Sequence, residues 1–264
     1  MALAQALLDL QLLTERLRRD CPWDREQTER TIVPHTIEEA YEVADAVAAG
    51  DDAKLVDELG DLLFQTYFLA LLLEEREAGS LEEVATAVHE KLVRRHPHVF
   101  GDAEAPTAGR VRERWEQLKT EQEGREGIFH DVPEALPALL RARKLGRRAA
   151  TVGFDYPDTD GALADLDAEL AELREAVAAA PAVRPETEAD AEVFAELGDV
   201  LFATVNVARK LNVDPELALR SASGRFTARV EEAERLAAAA GERFADLELA
   251  AQDRYFDDAK ETLR

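Results

Sequence analysis

Two short stretches of this chain carry paired acids at helical spacing. ELGDLLF at 58–64 offers Glu58 and Asp61, and ELGDVLF at 196–202 offers Glu196 and Asp199. Members of a pair lie three residues apart, hence on one helix face, and each pair leads straight into an apolar run. A second acid pair precedes each: Glu39 and Glu42 in IEEAYEVADAV (37–47), then Glu169 and Glu172 in DAELAELREAV (167–177). The tight turn at Gly50-Asp51-Asp52 returns the chain, so the acids of the first set come back alongside each other. Four carboxylates at the edge of an apolar interior repel one another and resist desolvation. Hard divalent cations relieve both costs. Mg²⁺ takes oxygen ligands and shares its shell with substrate phosphates, so the chemistry suggested is phosphate handling through Mg²⁺, with Mn²⁺ as an alternative ion. A solvated helix face explains either pair alone, and Thr36-x-x-Glu39 also reads as a capping box. The conjunction, which occurs twice, argues for a metal site.

The elements that must hold these acids are helices. The chain is 264 residues long, 46% hydrophobic, with 13 Gly and 10 Pro, and no long alternation of apolar and polar residues. Its richness in Ala, Leu, Glu and Arg favours helix, and the fold class expected is all-α. The spacing predicts first-half helices over roughly 2–19, 36–49, 52–78, 80–95 and 107–123. Pro34 and Thr36 open the second of these, and Leu59, Leu62, Leu63, Thr66, Leu69 and Leu73 turn the third toward the core.

The acid sets are not the only echo. PWD (22–24) returns as GFD (153–155), HEKLVRRH (89–96) as SGRFTARV (223–230), and WEQLK (115–119) as FDDAK (256–260). A tandem duplication accounts for all of them. The Gly- and Pro-bearing stretch EQEGREGIFHDVPEALP (121–137) breaks the helical period. The expected organisation is an N-terminal domain over 1–122, a linker over 123–133 and a C-terminal domain over 134–264.

Basic residues stand out against a formal net charge of −24. Lys91, Arg94 and Arg95 cluster in the first half, and Arg225 and Arg229 share a helix face in the second. Such cations hold phosphates that metals do not reach. Trp115 with Lys119, and Phe256 with Lys260, are further candidates for substrate contact, the aromatics by stacking on a base. The acidic balance argues against nucleic acid and anionic membrane as partners. The N-terminal run is broken by Gln5 and Asp9, so it reads as an amphipathic helix, and a single Cys21 suits a reducing cytoplasm. No Glu stands three residues before any of the five His, which counts against a ferritin-like iron site. Both Walker A and GxGxxG are absent, and His96-Pro97-His98 is a poor zinc site.

CPWDREQT, HTIEEAYEVADAV, ELGDLLFQ and RRHPHVFGD together resemble the MazG family of nucleoside triphosphate pyrophosphohydrolases. RKLGRRAATVGFD and ELGDVLFATVNVAR continue the resemblance through the second half in matching order. The resemblance implies tandem all-α domains, Mg²⁺ dependence, a homodimer, and hydrolysis of NTPs or dNTPs to monophosphate and pyrophosphate. It implies metal ligation by Glu39, Glu42, Glu58 and Asp61, and by Glu169, Glu172, Glu196 and Asp199. Arg225 and Arg229, with Lys91 and Arg95 as counterparts, match basic positions used on phosphates. Glu38, beside the ligands, is the candidate general base. The second half departs from the pattern with Ala168 for the first Glu, Ser223 for an expected Asn, and Phe256 for the usual Trp. Two other readings stay open: a narrower dUTP/dCTP or phosphoribosyl-ATP pyrophosphohydrolase, and a helical nucleotide-sensing module with one or both sites non-catalytic.

Overall fold

A computed structural model describes residues 2–101, 127–130, 132–180 and 189–264. It is all-α, as the composition suggests: the described residues contain helices and no strand. The chain divides into two compact units, Met1–Glu123 and Gly124–Arg264.

In the first unit, α1 (Ala2–Asp20) and the short α2 (Pro22–Glu26) lead to α3 (Glu29–Ala49) and α4 (Asp52–Glu75). The α3–α4 hairpin is the principal packing in this unit. It closes at Gly50, which takes the left-handed conformation at φ 67° that glycine adopts without a Cβ penalty. Asp51 then caps α4, its Oδ1 accepting from Lys54 N at 3.0 Å. Two further helices follow, α5 (Leu81–Arg95), capped by Ser80, and α6 (Pro97–Phe100).

Two expectations for these helices need correction. Helix α3 starts at Glu29, a full two turns before Thr36. Thr28 is the N-cap, in a reciprocal box with Thr31, and Thr36 Oγ1 instead donates back to the Ile32 carbonyl at 3.2 Å. Pro34 lies inside the helix rather than at its start. An interior Pro costs about 3 kcal/mol, but the turn before it carries Ile32, 2% exposed, into a core cluster with Phe68 and Leu72. That burial offsets much of the cost. The second correction concerns the face of α4. Leu59 and Leu63 are 48% and 37% exposed and Thr66 is exposed, while Glu58, Gln65, Tyr67, Phe68, Ala70 and Leu72 are buried. Leu62, Leu69 and Leu73 are only partly covered. Past Asp61 this helix is apolar nearly all round, so periodicity cannot select the core face. It also ends at Glu75 rather than at 78.

In the second unit, α7 (Ala138–Thr151) precedes a long hairpin, α8 (Thr159–Ala179) and α9 (Ala191–Lys210). Then come α10 (Pro215–Ala239) and α11 (Leu249–Thr262), packed on each other. Asp158, Asp190 and Asp214 cap α8, α9 and α10 through backbone N–H groups. Asp214 also receives the Arg143 guanidinium, which ties α7 to the start of α10. Alanines make up most of the buried apolar residues of these helices: Ala162, Ala176, Ala203, Ala233, Ala237 and Ala259.

Candidate functional site

The two hairpins bring the sequence-distant acids together. In the first unit, carboxylate oxygens of Glu39 on α3 and of Glu58 and Asp61 on α4 lie within 4.8 Å of one another. In the second unit, Glu169 on α8 and Glu196 and Asp199 on α9 do the same. Glu42 abuts Glu58 closely enough to share a hydrogen bond with it, and Glu172 lies near both Glu169 and Glu196. All eight acids therefore fall into two groups of four, one on each hairpin.

Both groups are electrostatically strained. Burial, then the charges of Asp61, Glu42, Glu58 and Glu38, pushes the Glu39 carboxyl above its usual range. Burial and the contact with Glu42 raise Glu58. Glu169 is raised by burial and then by Glu172, Asp199, Asp165 and Glu196, and Glu196 by burial, Glu172, Asp199 and Glu192. One oxygen in each cluster, Oε2 of Glu39 and Oε2 of Glu196, is buried without a hydrogen-bond partner. A buried carboxylate oxygen without a donor is costly. A hard cation bound by an all-oxygen set would satisfy it, so the residues present fit a divalent ion.

One neighbour of the acids escaped the sequence reading. Lys54 Nζ stands 3.7 Å from Glu58 Oε1, at i,i+4 on α4, and partly counters the rise of the Glu58 carboxyl. The corresponding place on α9 holds Glu192, which raises Glu196 instead. The i,i+4 spacing was visible in the sequence. Glu38 is exposed beside the cluster, with His35 Nδ1 3.5 Å from its Oε2.

The candidate substrate contacts lie on other helices. Lys91 is exposed and Arg95 half-buried on α5, which packs against α4. Arg225 is exposed on α10 and donates to Ser221 Oγ at 2.7 Å, and Arg229 is half-buried one turn later. Phe256 on α11 meets Phe226 on α10, ring centroids 5.8 Å apart, and Lys260 Nζ sits 4.8 Å from the Phe256 ring. The second-half candidates thus share the α10–α11 hairpin, whose packing on α9 is slight. Trp115 and Lys119 lie outside the described residues.

A helical hairpin presenting four acids, found in both units, defines a class of all-α domain whose acid groups are consistent with a metal site. The MazG nucleotide pyrophosphohydrolase domain matches residues 27–100, which span α3, α4 and α5. A nucleoside triphosphate pyrophosphohydrolase of Escherichia coli is 41% identical over 258 residues, covering 94% of each chain. The nucleoside triphosphate pyrophosphohydrolase/pyrophosphatase MazG of Thermotoga maritima is 37% identical over 256 residues, 96% of this chain and 94% of that one. A nucleoside triphosphate pyrophosphohydrolase of Mycobacterium tuberculosis is 33% identical over 173 residues, 62% of this chain and 53% of its own. The chain belongs to the MazG family.

Proposed function

We propose that this protein hydrolyses nucleoside triphosphates, ribo- or deoxyribo-, to monophosphate and pyrophosphate with Mg²⁺, Mn²⁺ serving in its place. The observation that carries the reading is the pair of four-acid groups, each with a buried carboxylate oxygen lacking a donor. The activity in the names of the full-length relatives points the same way. Glu39, Glu42, Glu58 and Asp61 would hold the ion in the first unit, and Glu169, Glu172, Glu196 and Asp199 in the second. An ion held there would neutralise charge on the triphosphate and make a water more acidic. The chain's own residues do the rest. Lys91 and Arg95, or Arg225 and Arg229, orient phosphate oxygens, with Lys119 and Lys260 as further cations, and Trp115 or Phe256 offers a stacking face. Glu38, exposed and next to a ligand, accepts the proton of the attacking water.

The two compact units support tandem domains over 1–122 and 134–264 joined by 123–133. Apolar side chains left exposed on the acid-bearing helices support a homodimer: Val56, Leu59 and Leu63 on α4, and Phe194, Leu197 and Leu201 on α9. Among the described residues no helix is long and apolar enough to cross a membrane, and Cys21 is a free thiol that fits a reducing, cytoplasmic setting. A second reading, in which the C-terminal site binds nucleotide without turnover, is favoured by Ala168 standing where the first unit has Glu38. The test is a panel of NTPs and dNTPs with Mg²⁺, scoring pyrophosphate against orthophosphate. Release of orthophosphate with a nucleoside diphosphate would refute the reading.

A further inference from the structure

The second unit contains a polar strut that the acid cluster does not explain. At the C-terminal end of α9, Arg209 Nη2 donates to Asp155 Oδ1 at 2.6 Å and Lys210 Nζ to Asp155 Oδ2 at 2.8 Å. Lys210 also donates to the Tyr156 carbonyl, so two cations of α9 fix the loop between α7 and α8. All three ionic side chains are largely enclosed, Arg209 being 10% exposed, Lys210 16% and Asp155 25%. From that loop the Tyr156 hydroxyl donates to Asp165 Oδ2 on α8 at 2.6 Å. Asp165 precedes Glu169 by four residues, about 6 Å along the helix axis. It is close enough for its charge to act on Glu169. Helix α7 closes the arrangement: a Cβ at Gly146 would stand 2.8 Å from Asn206 Oδ1 and 3.0 Å from Arg209 Nε, so glycine leaves room for the Asn206–Arg209 pair.

The strut therefore joins α8 to α9, the two helices whose acids converge. Among the described residues, the first unit is tied differently: Arg76 Nε, just after α4, pairs with Glu29 Oε1 at the start of α3 at 2.8 Å. There Arg18 of α1 holds the equivalent loop, donating to the carbonyls of Asp24 and Gln27 and to both oxygens of Glu75. His35 takes the place one turn before Glu39 that Asp165 takes before Glu169.

We propose that Tyr156 and Asp165 are positioning residues that set α8 against α9 and so fix the distance of Glu169 from Glu196 and Asp199. The hydroxyl is suited to this, because a phenol is a donor at neutral pH, and burial and then the bond to Asp165 push its pKa further up, to about 12. Small displacements of supporting groups loosen an oxygen ligand set even when every ligand remains. This inference rests on the metal-binding reading above.

The test uses the full chain carrying Glu58→Gln and Asp61→Asn, so that Mn²⁺ binding reports the second cluster. Tyr156→Phe keeps the ring and removes the donor. Mn²⁺ affinity, measured by the paramagnetic resonance of the free ion, should fall on the order of tenfold. Arg143→Met, which removes the α7–α10 ion pair with Asp214 and leaves the Tyr156–Asp165 bond in place, should lower thermal stability while leaving Mn²⁺ affinity unchanged. Tyr156→Trp, a bulky donor, should recover part of the affinity. If Tyr156→Phe and Arg143→Met alter Mn²⁺ affinity equally, or neither alters it, the positioning role is overturned. If the parent chain binds no Mn²⁺ at the second cluster, the metal reading itself fails and takes this one with it.

Discussion

Replacing Asp155 with Asn tests the ionic end of the strut by itself. Burial raises the Asp155 carboxyl, but the hydrogen bonds and charges of Arg209 and Lys210 outweigh it and hold the group at about 2, against 3.8 for an unperturbed Asp. A gap of about 1.8 units corresponds to roughly 2.4 kcal/mol. The carboxylate keeps some contact with water, and screening reduces the figure to about 1–2 kcal/mol. Because the folded-state pKa is depressed, this stabilisation is complete above the unfolded pKa and is lost as pH falls through the folded one. At pH 7 Asp155→Asn should therefore unfold on the order of 3–5 °C earlier in the second unit. The gap between parent and variant, read as urea midpoints by circular dichroism, should be constant from pH 7 to about pH 5 and about half gone at pH 3. A gap that is the same size at pH 3 as at pH 7 would show that Asp155 acts through packing rather than charge.

The raised carboxyls of Glu39, Glu58, Glu169 and Glu196 work in the opposite sense. Their contribution is present below the unfolded pKa and is lost as pH rises through the folded values, so in EDTA the chain should lose stability from mild acid toward neutrality. Mg²⁺ should then raise the melting temperature more at pH 8 than at pH 5, and an equal rise at both would contradict the strained-cluster account. Lys54→Met removes the cation that competes at Glu58, so it should tighten Mn²⁺ binding by the first cluster a few-fold; calorimetry showing weaker binding would refute this. Glu58→Gln with Asp61→Asn, compared with Glu196→Gln with Asp199→Asn, should change the nucleotide profile differently, and identical losses on every nucleotide would make the sites equivalent. Light scattering at micromolar concentration should give at least a dimer mass, and a monomer would leave exposed Leu59, Leu63, Leu197 and Leu201 without the cover proposed for them.

The sequence by itself determined the helical class and the membership of both acid sets. Glu-x-x-Glu and Glu-x-x-Asp are local spacings, and a three-residue separation puts two side chains on one face of a helix whatever surrounds it. The Gly50 turn was equally legible, because a left-handed residue after a helix is a backbone requirement that glycine meets. Tertiary structure decided what locality could not. The start of α3 at Glu29 depends on Ile32 finding Phe68 and Leu72, contacts from another helix that outweigh the Pro34 signal. The buried face of α4 depends on which side the neighbouring helices cover, since Leu59 and Phe68, half a turn apart, are both apolar, and only packing chooses between their faces. The strut from Lys210 through Asp155 and Tyr156 to Asp165 joins residues of the loop after α7, the start of α8 and the end of α9. Each of them reads as an ordinary surface residue until packing brings the three segments together. Pairing of this kind is set by the fold as a whole, and no local pattern encodes it.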